Sequence, residues 1–333
     1  MLELTTENVP AYLAERGWLS GHFCQVEELS GGVSNVVFRV KTFKGLLVLK
    51  QSRAQLRTAD PWFSDLSRVF REIDAMQLLA PRLPEGVVPQ VLMRDDDNYA
   101  FLMSHAPREA RDWRTVLLEG KVDPRLGEWT GRILGQIHSS TSNDPALKAF
   151  ADKTVFDQLR IDPFYRKVAE RCPDVASKLQ PLIDELLKNA WCLTHGDFSP
   201  KNLLLNADGF TLVDYETAHF GEPTFDVGFF LSHLFLKAIV HPEAWDRFAP
   251  LLNGFWRGYQ DSYPFKPFEY VISNGIAHLG ACLLARVDGT SPAPYLKDVR
   301  KKESARRVGK RILLDPIFDW GETIALLRSE VQR

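Results

Sequence analysis

Apolar and polar positions alternate in short runs over the first hundred residues. Val36, Phe38 and Val40 fall on one side of such a run and Val37, Arg39 and Lys41 on the other, the period-two pattern of a strand. Residues 23–29 and 46–50 predict strands on either side of it, joined through turns at Ser30-Gly31-Gly32 and Lys44-Gly45. Over 64–79 the period lengthens. Leu66, Val69, Phe70, Ile73, Met76 and Leu79 make a helical stripe, which Pro81 and Pro84 bring to an end. Two further strand-like runs, 87–93 and 99–103, flank the turn-forming Asp95-Asp96-Asp97-Asn98. A short helix over 6–16, stopped by Gly17, precedes all of these.

Beyond Ser104–Pro107 the pattern becomes mostly helical. Leu126, Trp129, Ile133, Leu134 and Ile137 stripe one helix, and further helices are expected at 175–187, 225–240, 270–286 and from about 304. A loop with short strands over 191–205 and a strand at 210–213 interrupt them. The layout predicts an α+β chain in two lobes. Residues 1–103 form a small antiparallel sheet with one long helix, 104–107 a hinge, and 108–333 a larger, mostly α-helical lobe.

Composition narrows the class without changing that layout. The 333 residues carry 41 Lys and Arg against 43 Asp and Glu, a net charge of −2 that gives no electrostatic reason to expect nucleic acid. The four cysteines, Cys24, Cys172, Cys192 and Cys282, show no metal-ligand spacing and read as reduced core thiols. The polar start of the chain has no signal-peptide pattern, and Asp226, Ser232, His233 and Lys237 interrupt the most apolar stretch. A cytoplasmic protein with no membrane partner is expected.

The chemistry concentrates in Thr194-His195-Gly196-Asp197-Phe198-Ser199-Pro200-Lys201-Asn202, followed by Leu212-Val213-Asp214-Tyr215-Glu216. Phosphoryl transfer uses such a set. One carboxylate, here Asp197, orients an acceptor hydroxyl and takes its proton. An amide oxygen and a second carboxylate, Asn202 and Asp214, hold magnesium on the phosphates, since Mg²⁺ prefers hard oxygen ligands.

H-G-D-x-x-x-x-N followed by a hydrophobic strand and D-x-E resembles the aminoglycoside phosphotransferase and choline kinase family, small-molecule kinases with a protein-kinase-like fold. The resemblance spans residues 23–320 or so. It implies ATP and Mg²⁺ as cofactors, Asp197 as catalytic base, Asn202 and Asp214 as metal ligands, and Glu216 as a further ligand, directly or through water. It also implies that Lys50, ending the third predicted strand, contacts the α- and β-phosphates and that Glu72 on the following helix holds it. Gly31, Gly32 and Ser34 would form the phosphate loop, and Ser104, His105 and Ala106 would meet adenine through their backbone. His138 and His195 are expected to be structural.

Asp226 looks like the aspartate that braces the catalytic loop from behind. It follows Asp214 by only twelve residues, and no A-P-E motif follows. No room is left for the segment on which a protein substrate docks, so a small-molecule acceptor is expected: a sugar, an amino alcohol or an aminoglycoside-like compound. From 221 to 333 there are 15 Lys and Arg against 13 Asp and Glu, which weighs against a polycationic acceptor. Arg286 and Asp288 either reach the acceptor or form a plain helix end. The basic run Lys301–Arg311 reads as a solvated helix face, with anion binding as its alternative. Lys50-Gln51, Asp214-Tyr215-Glu216 and the Gly221–Gly228 segment also resemble methylthioribose kinase, a sugar kinase of the same superfamily. A catalytically silent nucleotide-binding module remains as a reading from another class.

Overall fold

A computed structural model describes residues 1–19, 24–29, 35–53, 65–263, 267–315 and 317–333. The chain divides into two compact units. One joins Met1–Ala110 to Asn206–Thr217, and the other joins Arg111–Leu205 to Ala218–Arg333.

In the first unit, strands β1 (Gln25–Glu28), β2 (Asn35–Thr42), β3 (Gly45–Ser52), β4 (Val91–Asp95) and β5 (Ala100–Ser104) form an antiparallel sheet in the order β1-β2-β3-β5-β4. Helix α1 (Val9–Glu15) buries Val9, Tyr12 and Leu13 against Val36, Phe38, Val40, Leu49, Ala100 and Leu102. These are the alternate residues that the period-two pattern sends to one face. Lys50 follows Leu49 and points the other way, where helix α2 (Arg68–Leu79) supplies Glu72. The returning segment docks through backbone as well. Leu212 N–H donates to the Val87 carbonyl at 2.7 Å, and the Thr211 hydroxyl donates to the Gly86 carbonyl at 2.9 Å.

The predicted turn over 95–98 carries more structure than a turn requires. Asp95 ends β4 buried, accepts hydrogen bonds from the Tyr12 hydroxyl (2.6 Å) and Asn98 Nδ2 (2.9 Å), and pairs with Arg16 at 2.9 Å. It ties α1 to the hairpin.

The second unit is built on helices α3 (Arg125–Thr141), α4 (Ala176–Lys188), α5 (Pro223–Val240), α6 (Trp245–Ser262), α7 (Phe268–Asp288), α8 (Val299–Leu314) and α9 (Trp320–Val331). Helix α6 was not among the expected helices, and Pro250, Gly254 and Gly258 lie within it. It packs on α3 through facing glycines. A Cβ at Gly131 would lie 2.0 Å from the Phe255 carbonyl oxygen, and one at Gly258 would lie 2.1 Å from that of Glu128. The two backbones touch there, and no larger residue fits. Short strands β6 (Cys192–Thr194) and β7 (His219–Gly221) pair antiparallel beside the catalytic loop.

Helices α5 and α7 are long and apolar enough to cross a membrane, despite the polar residues that interrupt α5. In α5 94% of the apolar window lies buried inside the protein, and in α7 61%. They are core helices of this unit.

Candidate active site

In the first unit, period-two geometry aims Lys50 away from the α1 face and leaves it 5% exposed. Its ammonium pairs with Glu72 Oε2 and with Asp214 Oδ1, both at 2.7 Å. Burial pulls the Lys50 pKa down, but Asp214 and Glu72 overcome this and hold it above the ordinary value. Burial pushes the Glu72 carboxyl up, against the pull of Lys50. Asp214 has φ +71°, a left-handed backbone that aspartate tolerates better than most residues. A non-glycine residue held in that region is a feature of sites where geometry is over-determined.

Glu216 is engaged elsewhere. Its Oε2 accepts from Asn35 Nδ2 at 2.8 Å and from Arg68 Nε at 3.1 Å. Arg68 is fully buried on α2, one turn before Glu72, and also donates to the Asp65 carbonyl (2.7 Å) and the Arg53 carbonyl (2.6 Å). Ser104 closes β5, where its N–H donates to the Gln90 carbonyl at 2.9 Å, and His105 Nδ1 contacts the Ala106 carbonyl. Gly31, Gly32 and Ser34 lie outside the described residues.

In the second unit the catalytic loop hangs on one buried carboxylate. Asp226, in the first turn of α5, accepts the His195 N–H at 2.7 Å and the Gly196 N–H at 2.8 Å. Its Oδ2 also meets His138 Nε2 at 3.3 Å, and His138 Nδ1 meets the Tyr259 hydroxyl at 2.8 Å. Burial raises the Asp226 carboxyl, yet these partners leave its pKa below the ordinary value. Gly196 turns the chain at φ +75°.

Asp197 is then fixed from several sides. Its N–H donates to His195 Nδ1 at 3.1 Å. Its carboxylate meets Arg160 Nη2 at 2.8 Å, Asn202 Nδ2 at 2.8 Å and Lys201 Nζ at 3.5 Å. Asn202 Nδ2 donates to the Asp197 carbonyl as well, at 2.9 Å, so both amide protons point at Asp197 and the amide oxygen is turned outward as an acceptor.

These two constellations bring together the residues expected of a phosphotransferase, and comparison with known proteins shows the family. A family model described as the phosphotransferase enzyme family, APH, matches residues 25–268. The chain belongs to the phosphotransferase enzyme family. A methylthioribose kinase from Geobacillus kaustophilus is 23% identical to it, over 92% of this chain and 91% of that protein. The crystal structure of a choline/ethanolamine kinase family protein from Mesorhizobium loti aligns with a TM-score of 0.55 at 17% identity, covering 97% of this chain and 99% of that one. An amicoumacin kinase solved in complex with AMP-PNP, Ca²⁺ and its ligand aligns with a TM-score of 0.55 at 16% identity, covering 94% and 95%. The fold of this phosphotransferase is therefore the two-lobed one its motifs predict.

Sequence reasoning about the phosphotransferase missed Arg68 and Arg160. Arg160 lies in the π-helical stretch Asp157–Arg166, donates from Nε to the Gly196 carbonyl at 2.7 Å and pairs with Asp197. Nothing in its neighbourhood marks it. Arg68 left a faint sign, sitting four residues before Glu72 beside the apolar stripe of α2.

Proposed function

We propose that the protein transfers the γ-phosphoryl group of ATP to a hydroxyl of a small molecule. The observation that carries this reading is the fixed geometry of Asp197, braced through Asp226 and held by Asn202. In the reaction the acceptor oxygen bonds to the γ-phosphorus, the bond from that phosphorus to the β–γ bridging oxygen breaks, and ADP leaves. Asp197 orients the hydroxyl and receives its proton. Lys50, kept cationic by Glu72 and Asp214, binds the α- and β-phosphates.

Asn202 and Asp214 would hold a divalent cation, Mg²⁺ in this reading. The donor set fits, since both offer hard oxygens and the Asn202 amide is already turned oxygen-outward. The cation neutralises charge on the phosphates when bound. Glu216, occupied by Asn35 and Arg68, reaches it through water. Gly31, Gly32 and Ser34 take the phosphate-loop role by their place between β1 and β2, and Ser104–Ala106 meet adenine. The complex of the amicoumacin kinase with AMP-PNP and Ca²⁺ supports a nucleotide and a divalent metal. Four unpaired cysteines support a reducing, cytoplasmic setting.

The spacing from Asp214 to Asp226 favours a small acceptor over a protein. The full-length similarity to methylthioribose kinase favours a sugar as the second, narrower reading. A silent nucleotide-binding module is disfavoured by the intact Lys50, Asp197, Asn202 and Asp214. The test is ADP release from Mg·ATP across methylthioribose, other sugars, amino alcohols, homoserine, hydroxy acids and aminoglycosides. We expect acceptor-dependent turnover that a chelator abolishes and Mg²⁺ restores. Turnover indifferent to the chelator contradicts the metal assignment, and nucleotide binding with no acceptor turned over favours the silent module.

A further inference from the structure

The second unit keeps an unbalanced positive charge beside its catalytic loop. Asp226, His233 and Lys237 stand at intervals of seven and four residues on α5, so all three share one face of the helix within an arc of about 40°. The face that braces His195 and Gly196 thus continues into a histidine and a lysine. Lys237 is fully buried. Its ammonium donates to the Tyr295 hydroxyl at 3.0 Å, lies 3.4 Å from His233 Nδ1, and sits 4.8 Å from the centre of the Tyr295 ring. None of these partners is anionic, and among the described residues no carboxylate pairs with it.

Arg286, near the end of α7, completes the group. Its Nη1 donates to the Ser291 carbonyl at 2.5 Å and to the Ser291 hydroxyl at 3.2 Å, while its buried Nε has no partner. It too lacks a carboxylate partner among the described residues. The charges of Asp197 and Arg160 both act on Arg286, and those of Lys201 and Arg160 act on His233, which puts the group in electrostatic reach of the catalytic loop. Asp112 exerts a negative influence on Lys237, but it is committed to capping Thr115 and to Arg114.

Isolated buried cations are costly, several kcal/mol each even after relaxation. The strain is visible here: burial, then neighbouring positive charges, depresses His233 and Lys237, and burial depresses Arg286 against the pull of Tyr295 and Asp197. The exposed basic run behaves in the opposite way. Arg306 pairs with Asp288 and Glu303, Arg307 with Glu330, Lys310 with Asp174 and Arg311 with Asp315. From Arg306 onward that run is compensated surface, and Asp288 belongs to it. Lys237 is inside and Arg286 is half-buried, in electrostatic reach of the residue assigned to the acceptor hydroxyl, where a bound anion would supply the missing charge.

We infer that the acceptor carries an oxyanion, a carboxylate or phosphate ester on the same small molecule as the hydroxyl, held by Lys237 and Arg286 beside His233. Arginine and lysine together suit such a group, by fork and by point charge. The inference rests on the phosphotransfer reading and narrows its substrate class away from cationic compounds.

The test is calorimetric titration of the full chain, saturated with Mg·AMP-PNP, with four probes. Glycerate and glycerol 3-phosphate carry the oxyanion as carboxylate and as phosphate; glyceramide and glycerol are their neutral counterparts. We expect at least one anion to bind tenfold or more tighter than its counterpart, the better of the two naming the oxyanion. Lys237→Met and Arg286→Gln should each erase that preference while the Kd for Mg·AMP-PNP stays within twofold. Lys237→Met should also raise Tm, because it removes an uncompensated charge. Equal binding of each pair, no binding by any probe, or a preference that survives both variants overturns the inference. So does an effect of the variants on AMP-PNP instead of the probes, since the cations then serve the nucleotide. A fall in Tm with Lys237→Met assigns Lys237 to the fold. Failure of the phosphotransfer reading looks different: no acceptor in the ADP-release panel would be turned over, whatever the anion preference.

Discussion

Lys50 is one positive charge between two carboxylates in a nearly dry place, so its removal has two separable effects. Glu72 and Asp214 would face each other without a counter-charge, and breaking a buried pair in this way costs about 3–5 kcal/mol. Lys50→Met is expected to lower the urea midpoint accordingly and to reduce kcat/KM for ATP by roughly 100-fold or more, about 2.7 kcal/mol of transition-state binding. Unchanged steady-state kinetics in a folded variant would remove Lys50 from the nucleotide site. Lys50, Glu72, Asp197, Asn202 and Asp214 were legible because their order and spacing along the chain are themselves the signal. Arg68, Arg160 and Lys237 were not. A cation at a helical position reads as a solvated face, and only the tertiary partners reveal that Arg68 and Lys237 are buried.

Helices α3 and α6 show how a glycine can hold an element in place. Gly131→Ala would put a methyl 2.0 Å from a carbonyl oxygen of α6, and the helices must separate. Overpacking of this kind costs about 1–3 kcal/mol, at the upper end here because backbone meets backbone. A Tm equal to the parent's would show that the contact can give way. Helix α6, whose glycines face α3, was not among the helices expected from the sequence. Within α7, His278 is buried against the Tyr165 hydroxyl at 2.7 Å, and burial lowers its pKa to about 3. The unfolded chain takes up this proton near its ordinary 6.5, and the folded chain does not. The stability is therefore present above about pH 6.5 and lost as pH falls toward 3, roughly 2–3 kcal/mol of it by pH 4.5. His278→Gln keeps a hydrogen-bonding side chain that cannot titrate. The gap between parent and variant in urea midpoint should therefore shift in the variant's favour from pH 7 to 4.5. A gap that does not change with pH would contradict the buried neutral imidazole.

At the scale of the molecule, the net charge of −2 hides how charge is arranged. Arg306, Arg307, Lys310 and Arg311 of the basic run are paired off, while Lys237 and Arg286 are not, and composition cannot tell these apart. The sheet-first, helices-after layout was legible from periodicity alone. What escaped is the membership of residues 206–217, which follow the catalytic loop in sequence yet pack with the first unit. Only long-range contacts, such as Leu212 to Val87, decide that. The account rests on Asp197 as the group that takes the acceptor's proton, and Asp197→Asn tests it most directly. With an acceptor found in the ADP-release panel, kcat and the Kd for Mg·AMP-PNP would be measured side by side. The account predicts a kcat lower by at least about 100-fold, in the range that general-base removal typically produces, with the nucleotide Kd and Tm close to the parent's. A variant that turns over its acceptor at the parental rate would contradict it.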